Sequence, residues 1–232
     1  MESIAAVLFD LGNTLRHLDY AYVAAVVSRH AHAVAPADVA AAEYRGKAAV
    51  DAELRARRTG TDTTRQRPFF DAMLDALGVG AAARPAIAAD LSAENVRSSL
   101  WRVMHDDTPA VLAALRVRGY TLGVVSNADG RAQAALTDCG LAPHFSAVID
   151  SHVVGVEKPD PRIFHLALAA CRARAEQAIF VGDVYEVDVQ GARNAGLAAL
   201  LLDPLGLYGD VDCQRIERLR QLLDLLPERA RS

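Results

Sequence analysis

The feature of the sequence that most constrains its fold is a series of short apolar runs that end abruptly in polar residues. Residues 4–9 form the first run, which stops at Asp10, and residues 120–125 form another, which stops at Ser126. The remaining runs of this kind are 147–149, 178–181 and 198–202. The first run is uninterrupted, and such a run is typical of a strand covered on both faces. The sequence therefore predicts a buried parallel sheet.

Helical segments are predicted between these runs. Thr108 and Pro109 have the residue types of a helix N-cap and first position, and Gly119 is suited to the end of that helix. Further helices are predicted at 131–139, 161–171, 188–194 and 216–226. Strands that alternate with helices indicate βαβ units, so we expect an α/β fold with a doubly wound parallel sheet.

An Ala-rich region interrupts this alternation after the first strand. It shows no strand-like alternation of apolar and polar residues, and we interpret it as several helices packed on each other. We therefore expect a core formed by residues 1–16 and 102–232, with residues 17–101 as an inserted helical cap. Such an insert is suited to act as a lid over a site.

The bulk composition narrows the class of partner. The chain has 232 residues and a formal net charge of −4, which predicts neither a nucleic-acid nor an anionic-membrane partner. No apolar stretch approaches the roughly 20 residues needed to cross a bilayer. The three cysteines Cys139, Cys171 and Cys213 contain no CxxC pair and are expected to be free thiols, so we expect a cytoplasmic protein. The sequence specifies no oligomeric state.

The polar residues that follow the strands are expected to meet, because ligands of open parallel sheets bind beyond the carboxyl ends of the strands. Asp10 and Asp183 offer the oxygen ligands that Mg²⁺ prefers. Ser126 and Lys158 offer a hydrogen-bond donor and a positive charge for a phosphate group. Because carboxylates act as nucleophiles that form aspartyl phosphates, this combination indicates phosphoryl chemistry.

Four segments resemble the four motifs of the haloacid dehalogenase superfamily, in the same order: residues 9–15, 124–127, 158–164 and 181–196. The resemblance implies a Rossmann-like core, a helical cap of the C1 type, Mg²⁺ as cofactor and a small phosphorylated metabolite as substrate. It implies that Asp10 is the nucleophile and a metal ligand, and that Ser126 and Lys158 hold the phosphoryl group. The other residues that it implicates are Gly12, Asp183 and Asp188 at the metal, the first through its carbonyl and the last directly or through water, and Thr14 and Asn127 at the substrate.

One position departs from the family pattern. The family's phosphatases usually carry Asp two residues after the nucleophile as the general acid and base, and here that residue is Gly12. Three functions stay open: a phosphatase in which a good leaving group, His17 or Asp19 compensates; a weakly catalytic protein that binds a phosphorylated ligand or a partner; and a dehalogenase-like hydrolase, since halide leaves without a proton. The metal motif at residues 182–188 argues against the dehalogenase.

Overall fold

The computed structural model describes residues 4–57 and 62–229. The chain divides into two compact units, one formed by Met1–Leu15 with Met104–Ser232 and the other by Arg16–Val103. We call the first the core unit and the second the insert unit. The insert expected at 17–101 differs from the insert unit by one residue at its start and two at its end.

The elements are numbered in chain order. The strands are β1 Ala6–Phe9, β2 His17–Leu18, β3 Trp101–Val103, β4 Thr121–Ser126, β5 Ala147–Asp150, β6 Ala178–Gly182, β7 Ala198–Leu202 and β8 Gln214–Ile216. The α-helices are α1 Tyr20–His30, α2 Pro36–Arg57, α3 Asp62–Ala76, α4 Arg84–Arg97, α5 Thr108–Val117, α6 Ala132–Asp138, α7 Ser151–Val154, α8 Pro161–Ala170, α9 Gln190–Asn194 and α10 Leu222–Leu225.

The core unit contains a six-stranded parallel sheet in the order β5-β4-β1-β6-β7-β8. Side chains of β1 alternate between its two faces. Val7 and Phe9 belong to one apolar cluster with Leu112 of α5. Leu8 belongs to another, which contains Phe164 of α8. Helices therefore cover both faces, and the predicted doubly wound α/β fold is confirmed.

Strand β1 lies at the point where the chain reverses its direction across the sheet. From β1 the chain goes to β4 and β5 on one side, and it then returns to β6 on the other side. A parallel sheet leaves a crevice at such a switch point, beyond the carboxyl ends of its strands. The residues that follow β1, β4 and β6 are thus placed around one crevice.

The insert unit has its own apolar core. The four helices α1 to α4 bury a cluster that includes Val23, Val27, Met73 and Ile87. The interpretation of the insert as helical omitted one feature, because β2 and β3 pair as a short antiparallel ribbon. Strands of two and three residues are too short to show an alternating pattern.

The helix predicted at 216–226 is confirmed only in its later part, and its start is wrong. Ile216 instead ends β8, where it pairs with Leu202, and its carbonyl accepts a hydrogen bond of 2.8 Å from Asp203 N. A 3₁₀ turn at Leu219–Gln221 and the short α10 follow. The apolar residues of this segment are buried in one core cluster, as their spacing indicated. The pairing with β7, however, gives the first residues of the segment an extended backbone conformation.

Two helix starts also differ from the prediction. Thr108 is the first residue of α5 and Asp107 occupies its N-cap position. The helix expected at 188–194 begins with a π-helical turn at Tyr185–Val189. Among the described residues, no helix is long and apolar enough to span a membrane.

Candidate active site

A buried lysine joins two carboxylates at the edge of the core sheet. Lys158 Nζ donates to Asp10 Oδ1 at 2.5 Å and to Asp188 Oδ1 at 2.7 Å. The Lys158 side chain is only 2% exposed, and its ammonium group lies 5.3 Å from the centroid of the Phe180 ring. The buried ammonium group therefore lies beside an aromatic ring and between two acids, where its charge is paired.

The sheet itself positions Asp10. This residue follows β1 directly, and its backbone N–H donates to the Val181 carbonyl at 2.9 Å, which continues the ladder between β1 and β6. The carboxylate is thus carried by a rigid element of the core. Nucleophiles on such elements hold their geometry better than those on loops.

Asp188 shapes the loop that follows β6. Its Oδ2 accepts hydrogen bonds from the backbone N–H groups of Asp183, at 3.0 Å, and Val184, at 2.9 Å. A Cβ at Gly182 would overlap the Asp188 carboxyl group, so the glycine permits this close approach. Both oxygens of Asp188 thus accept hydrogen bonds from the protein. This geometry makes Asp188 a support for the loop and for Lys158, and its predicted role at the metal stays a prediction.

Thr14 and Asp183 lie at the same edge. The Thr14 hydroxyl donates to Asp183 Oδ1 at 3.5 Å, the long limit of a hydrogen bond, and both residues are buried. The Tyr208 hydroxyl donates to the Asp183 carbonyl at 3.4 Å. The contact with Asp183 gives Thr14 a role in orienting that carboxylate, while its predicted contact with substrate stays a prediction. Nothing in the sequence indicated Tyr208, because its partner is set by the fold of the following loop.

Ser126 and Asn127 stand at the end of β4. The register pairs Phe9 with Val124, which brings the residues after both strands to the same edge. Ser126 is 4% exposed, and its hydroxyl makes no hydrogen bond to another described residue. The Asn127 side chain, in contrast, makes two hydrogen bonds to the backbone of Lys158. The structure therefore links Asn127 to the lysine.

The loop after Asn127 is anchored by the end of β5, which the sequence reasoning missed. Ser151 Oγ accepts a hydrogen bond from Ala128 N at 3.1 Å and donates to Ala128 O at 3.2 Å. The Asp150 carboxylate accepts hydrogen bonds from Gly130 N and Ala132 N, both at 3.1 Å. A signal was present in the sequence, since Asp and Ser directly after an apolar run are typical capping residues.

The charges of the site are strongly coupled. Burial raises the pKa of Asp10, Lys158 opposes that rise, and Asp188 and Asp183 add to it, which brings the pKa of Asp10 to about 7. Burial lowers the pKa of Lys158, but Asp10 and Asp188 outweigh that effect and raise it. Three buried carboxyl groups, those of Asp10, Asp183 and Asp188, thus accompany one buried ammonium group, so acids outnumber bases at the site.

The donor set fits a sparse magnesium site. Among the residues that the structure describes, no group of three or more His, Cys, Asp or Glu side chains is arranged to hold a metal ion. Mg²⁺ commonly takes only one or two protein carboxylates and completes its shell with waters and phosphate oxygens. The carboxylates of Asp10 and Asp183 supply that number, and a divalent cation would offset the excess negative charge.

Asp19 and His17, the suggested substitutes for the missing acid, belong to the insert unit. Asp19 Oδ1 accepts a hydrogen bond from Tyr22 N at 2.9 Å, and Oδ2 accepts one from Arg102 Nε at 2.8 Å. This geometry is that of a helix N-cap with an ion pair. His17 is buried in β2, 1% exposed. Its role in proton transfer stays a prediction.

A family model of the haloacid dehalogenase-like hydrolases matches residues 4–196. The chain belongs to this family. The match confirms the resemblance to this family that the four motifs indicated. The match spans β1 through α9 and includes Asp10, Ser126, Lys158 and Asp183.

Individual relatives include phosphatases and dehalogenases. The hydrolase is 38% identical over 140 residues to a phosphoserine phosphatase from Thermus thermophilus. The aligned region covers 60% of this chain and 54% of that protein, so the chain spans about half of the relative's length. A phosphatase structure from Thermococcus onnurineus is 21% identical, with a TM-score of 0.60 over 97% of this chain and 99% of that one. A 2-haloacid dehalogenase structure from Pseudomonas syringae is 27% identical, with a TM-score of 0.57 over 96% and 98%.

Proposed function

We propose that this hydrolase is a Mg²⁺-dependent phosphatase that acts on a small cytoplasmic phosphomonoester through an aspartyl-phosphate at Asp10. The observation that carries the proposal is the buried ammonium group of Lys158, which lies 2.5 Å from Asp10 and 2.7 Å from Asp188. Similarity to a phosphoserine phosphatase supports phosphate ester chemistry. The three cysteines are free thiols, which fits a reducing compartment.

In the first step, a carboxylate oxygen of Asp10 attacks phosphorus, and the bond between phosphorus and the ester oxygen breaks. The electron pair leaves with the alcohol oxygen, which takes a proton from water, because Gly12 carries no acid. Lys158 stays beside Asp10 and offsets the negative charge of the phosphoryl group, while the Ser126 hydroxyl donates to one of its oxygens. Mg²⁺ bound by Asp10, Asp183 and the Gly12 carbonyl would supply further positive charge there.

In the second step, water attacks the phosphorus of the aspartyl-phosphate, the bond between phosphorus and the Asp10 oxygen breaks, and phosphate leaves. The Asp10 carboxylate is thereby restored. This step also lacks a general base at position 12, which typically contributes about 10²–10⁴-fold in rate. We therefore propose that turnover is fastest on substrates whose leaving group needs no protonation.

The direct test measures phosphate release from p-nitrophenyl phosphate and a panel of metabolite phosphomonoesters, with Mg²⁺ and with EDTA. We expect Asp10→Asn to lower kcat/KM by about 10³-fold or more, because the nucleophile is lost. The control is Asp138→Asn, which changes an exposed Asp at the end of α6. Equal phosphate release by the wild type and Asp10→Asn would refute the proposal.

A second measurement addresses Gly12. In the wild type, rates on a series of aryl and alkyl phosphates should fall steeply as the pKa of the leaving alcohol rises. Gly12 does not have a positive φ, so its backbone conformation is compatible with an L-residue. Gly12→Asp should flatten this dependence and accelerate alkyl phosphates. A flat dependence in the wild type would instead indicate another proton donor, and His17→Ala would test it.

Two observations favour alternative functions. The missing acid at Gly12 favours a protein that binds a phosphorylated ligand and turns it over slowly. In that case inorganic phosphate would bind with Mg²⁺, but no phosphomonoester would be hydrolysed faster than by Asp10→Asn. The similarity to a 2-haloacid dehalogenase favours halide release. Halide release from 2-haloacids that persists in EDTA would support that function.

A further inference from the structure

We propose that Asn127 is a positioning residue that holds Lys158 in place, and that it is not a ligand of the substrate. Asn127 Nδ2 donates to the Lys158 carbonyl at 3.0 Å, and the Lys158 backbone N–H donates to Asn127 Oδ1 at 2.8 Å. The donor and the acceptor of one carboxamide thus engage the two backbone groups of one residue. This inference rests on the proposed function, because it assigns Asn127 a task in the same site.

With this contact, Lys158 is fixed by hydrogen bonds at both its backbone and its ammonium group. At one end Lys158 is held by Asn127, and at the other its ammonium group is held by Asp10 and Asp188. The ammonium group also lies 5.3 Å from the centroid of the Phe180 ring. Asn127 itself follows directly after β4, so it connects the loop that carries the lysine to the sheet.

The chemistry of the contact requires an amide. Each backbone group of Lys158 needs a partner of the opposite kind, and the carboxamide of Asn offers a donor and an acceptor side by side on one planar group. Asp would still accept from the Lys158 N–H, but its second oxygen would face the Lys158 carbonyl. Ala would leave both backbone groups without this partner. After these two contacts the carboxamide keeps one Nδ2–H, so the kinetic test below separates a positioning role from a contact with substrate.

The expected consequence is a loss in kcat with little change in KM. If Lys158 shifts, the phosphoryl group loses a positive charge aligned with its transition state, and a displacement of about 1 Å can cost roughly 10²-fold in rate. We expect Asn127→Ala to lower kcat by about 10–10²-fold through this displacement. Asn127→Asp, which keeps one of the two hydrogen bonds, should retain more activity than Asn127→Ala.

The test is a double-mutant cycle between Asn127→Ala and Lys158→Met on the full chain, with p-nitrophenyl phosphate as substrate. Lys158→Met keeps the length of the apolar stem. If Asn127 acts through the lysine, Asn127→Ala should cost much less in kcat in the Lys158→Met background than in the wild type. Equal losses in both backgrounds, or a rise in KM with kcat unchanged, would overturn the proposal. Asn194→Ala, an exposed Asn at the end of α9, is the control.

The same variants give a readout that does not depend on turnover. Urea unfolding of the wild type, the two single variants and the double variant measures whether their effects on stability add. If the wild type hydrolyses none of the substrates, the proposed function fails, and this cycle then decides the inference alone. Non-additive effects would support the link between Asn127 and Lys158, and additive effects would overturn it.

Discussion

The two units of the molecule bury charge in different ways. In the core unit, Lys158 and Asp10 are 148 residues apart in the chain and meet only through the fold. In the insert unit, Glu43, Lys47 and Asp51 follow each other at four-residue spacing on the single helix α2, with exposures of 0%, 5% and 0%. Such spacing places them on one side of the helix.

The two sets also differ in balance. The series on α2 continues to Arg55, which pairs with Asp51 at 3.3 Å, so two acids alternate with two bases. The edge of the core sheet holds three carboxylates and one lysine. The acids and bases on α2 are equal in number, and Glu43 also accepts a hydrogen bond from the Tyr20 hydroxyl, whereas the excess of carboxyl groups at the sheet edge favours a bound cation. The comparison therefore separates a structural use of buried charge from a chemical one.

The strongest test of this comparison removes one lysine from each unit. Lys158→Met leaves Asp10 and Asp188 buried without their shared cation, and breaking such a pair costs about 3–5 kcal/mol of unfolding free energy. Lys47→Met should cost less, because Glu43 keeps the Tyr20 hydroxyl at 2.7 Å. Urea unfolding of both variants measures the difference. A larger loss for Lys47→Met would contradict the comparison.

The same contrast explains which parts of the site were predictable. Asp10, Ser126 and Asp183 each follow an apolar run, and the edge of a parallel sheet gathers them whatever their separation in the chain. The role of Asn127 was not predictable, because its partner is a backbone segment positioned by the loop before α8. A sequence shows that a polar residue stands at a strand end, but it does not show whether a ligand or the protein uses its hydrogen bonds.

The fold was predictable for a related reason. Most residues of the strands β1, β4, β6 and β7 are buried, so the sequences of these strands are mainly apolar. β8 is an edge strand with two exposed residues and one buried residue, Ile216. The spacing between Ile216 and the leucines that follow matches the period of a helix, so the predicted helix began too early. Apolar spacing indicates which side chains are buried, but it indicates the backbone conformation only where the segment is long.

A smaller effect is expected within the insert unit, at the start of the charged series. Tyr20→Phe removes the donor to the buried Glu43 carboxylate, and hydrogen bonds to charged groups contribute about 1.5–3 kcal/mol. Tyr22→Phe is the matched control, because the Tyr22 hydroxyl makes no hydrogen bond to another described residue while its ring packs beneath Arg102. Thermal unfolding compares the two variants. Equal losses would show that the hydroxyl contributes nothing and that Glu43 is supported by other groups.

The smallest effects are expected at a matched pair of helix caps. Asp160 in the core unit accepts a hydrogen bond from Arg162 N at 2.9 Å, and Asp19 in the insert unit accepts one from Tyr22 N at 2.9 Å. Replacing such a cap by Ala typically costs about 1 kcal/mol. Asp19→Ala should cost more than Asp160→Ala, because the Arg102 side chain that pairs with Asp19 is 27% exposed, whereas the Arg162 side chain that pairs with Asp160 is 75% exposed and more strongly screened.

The pH dependence of Asp160→Ala makes this comparison sharper. The Arg162 side chain and then its backbone N–H lower the pKa of Asp160. The pKa of an Asp carboxyl in the unfolded chain is about 3.9. The ionised Asp160 side chain therefore stabilises the fold fully above that pH, and this stabilisation disappears as the pH falls through the lower pKa of the folded state. The gap between wild type and Asp160→Ala should thus be constant from neutral pH to about pH 5 and should close in stronger acid. A gap that persists at the lowest pH at which the protein stays folded would mean that Ala disturbs α8 by a route other than the lost carboxylate.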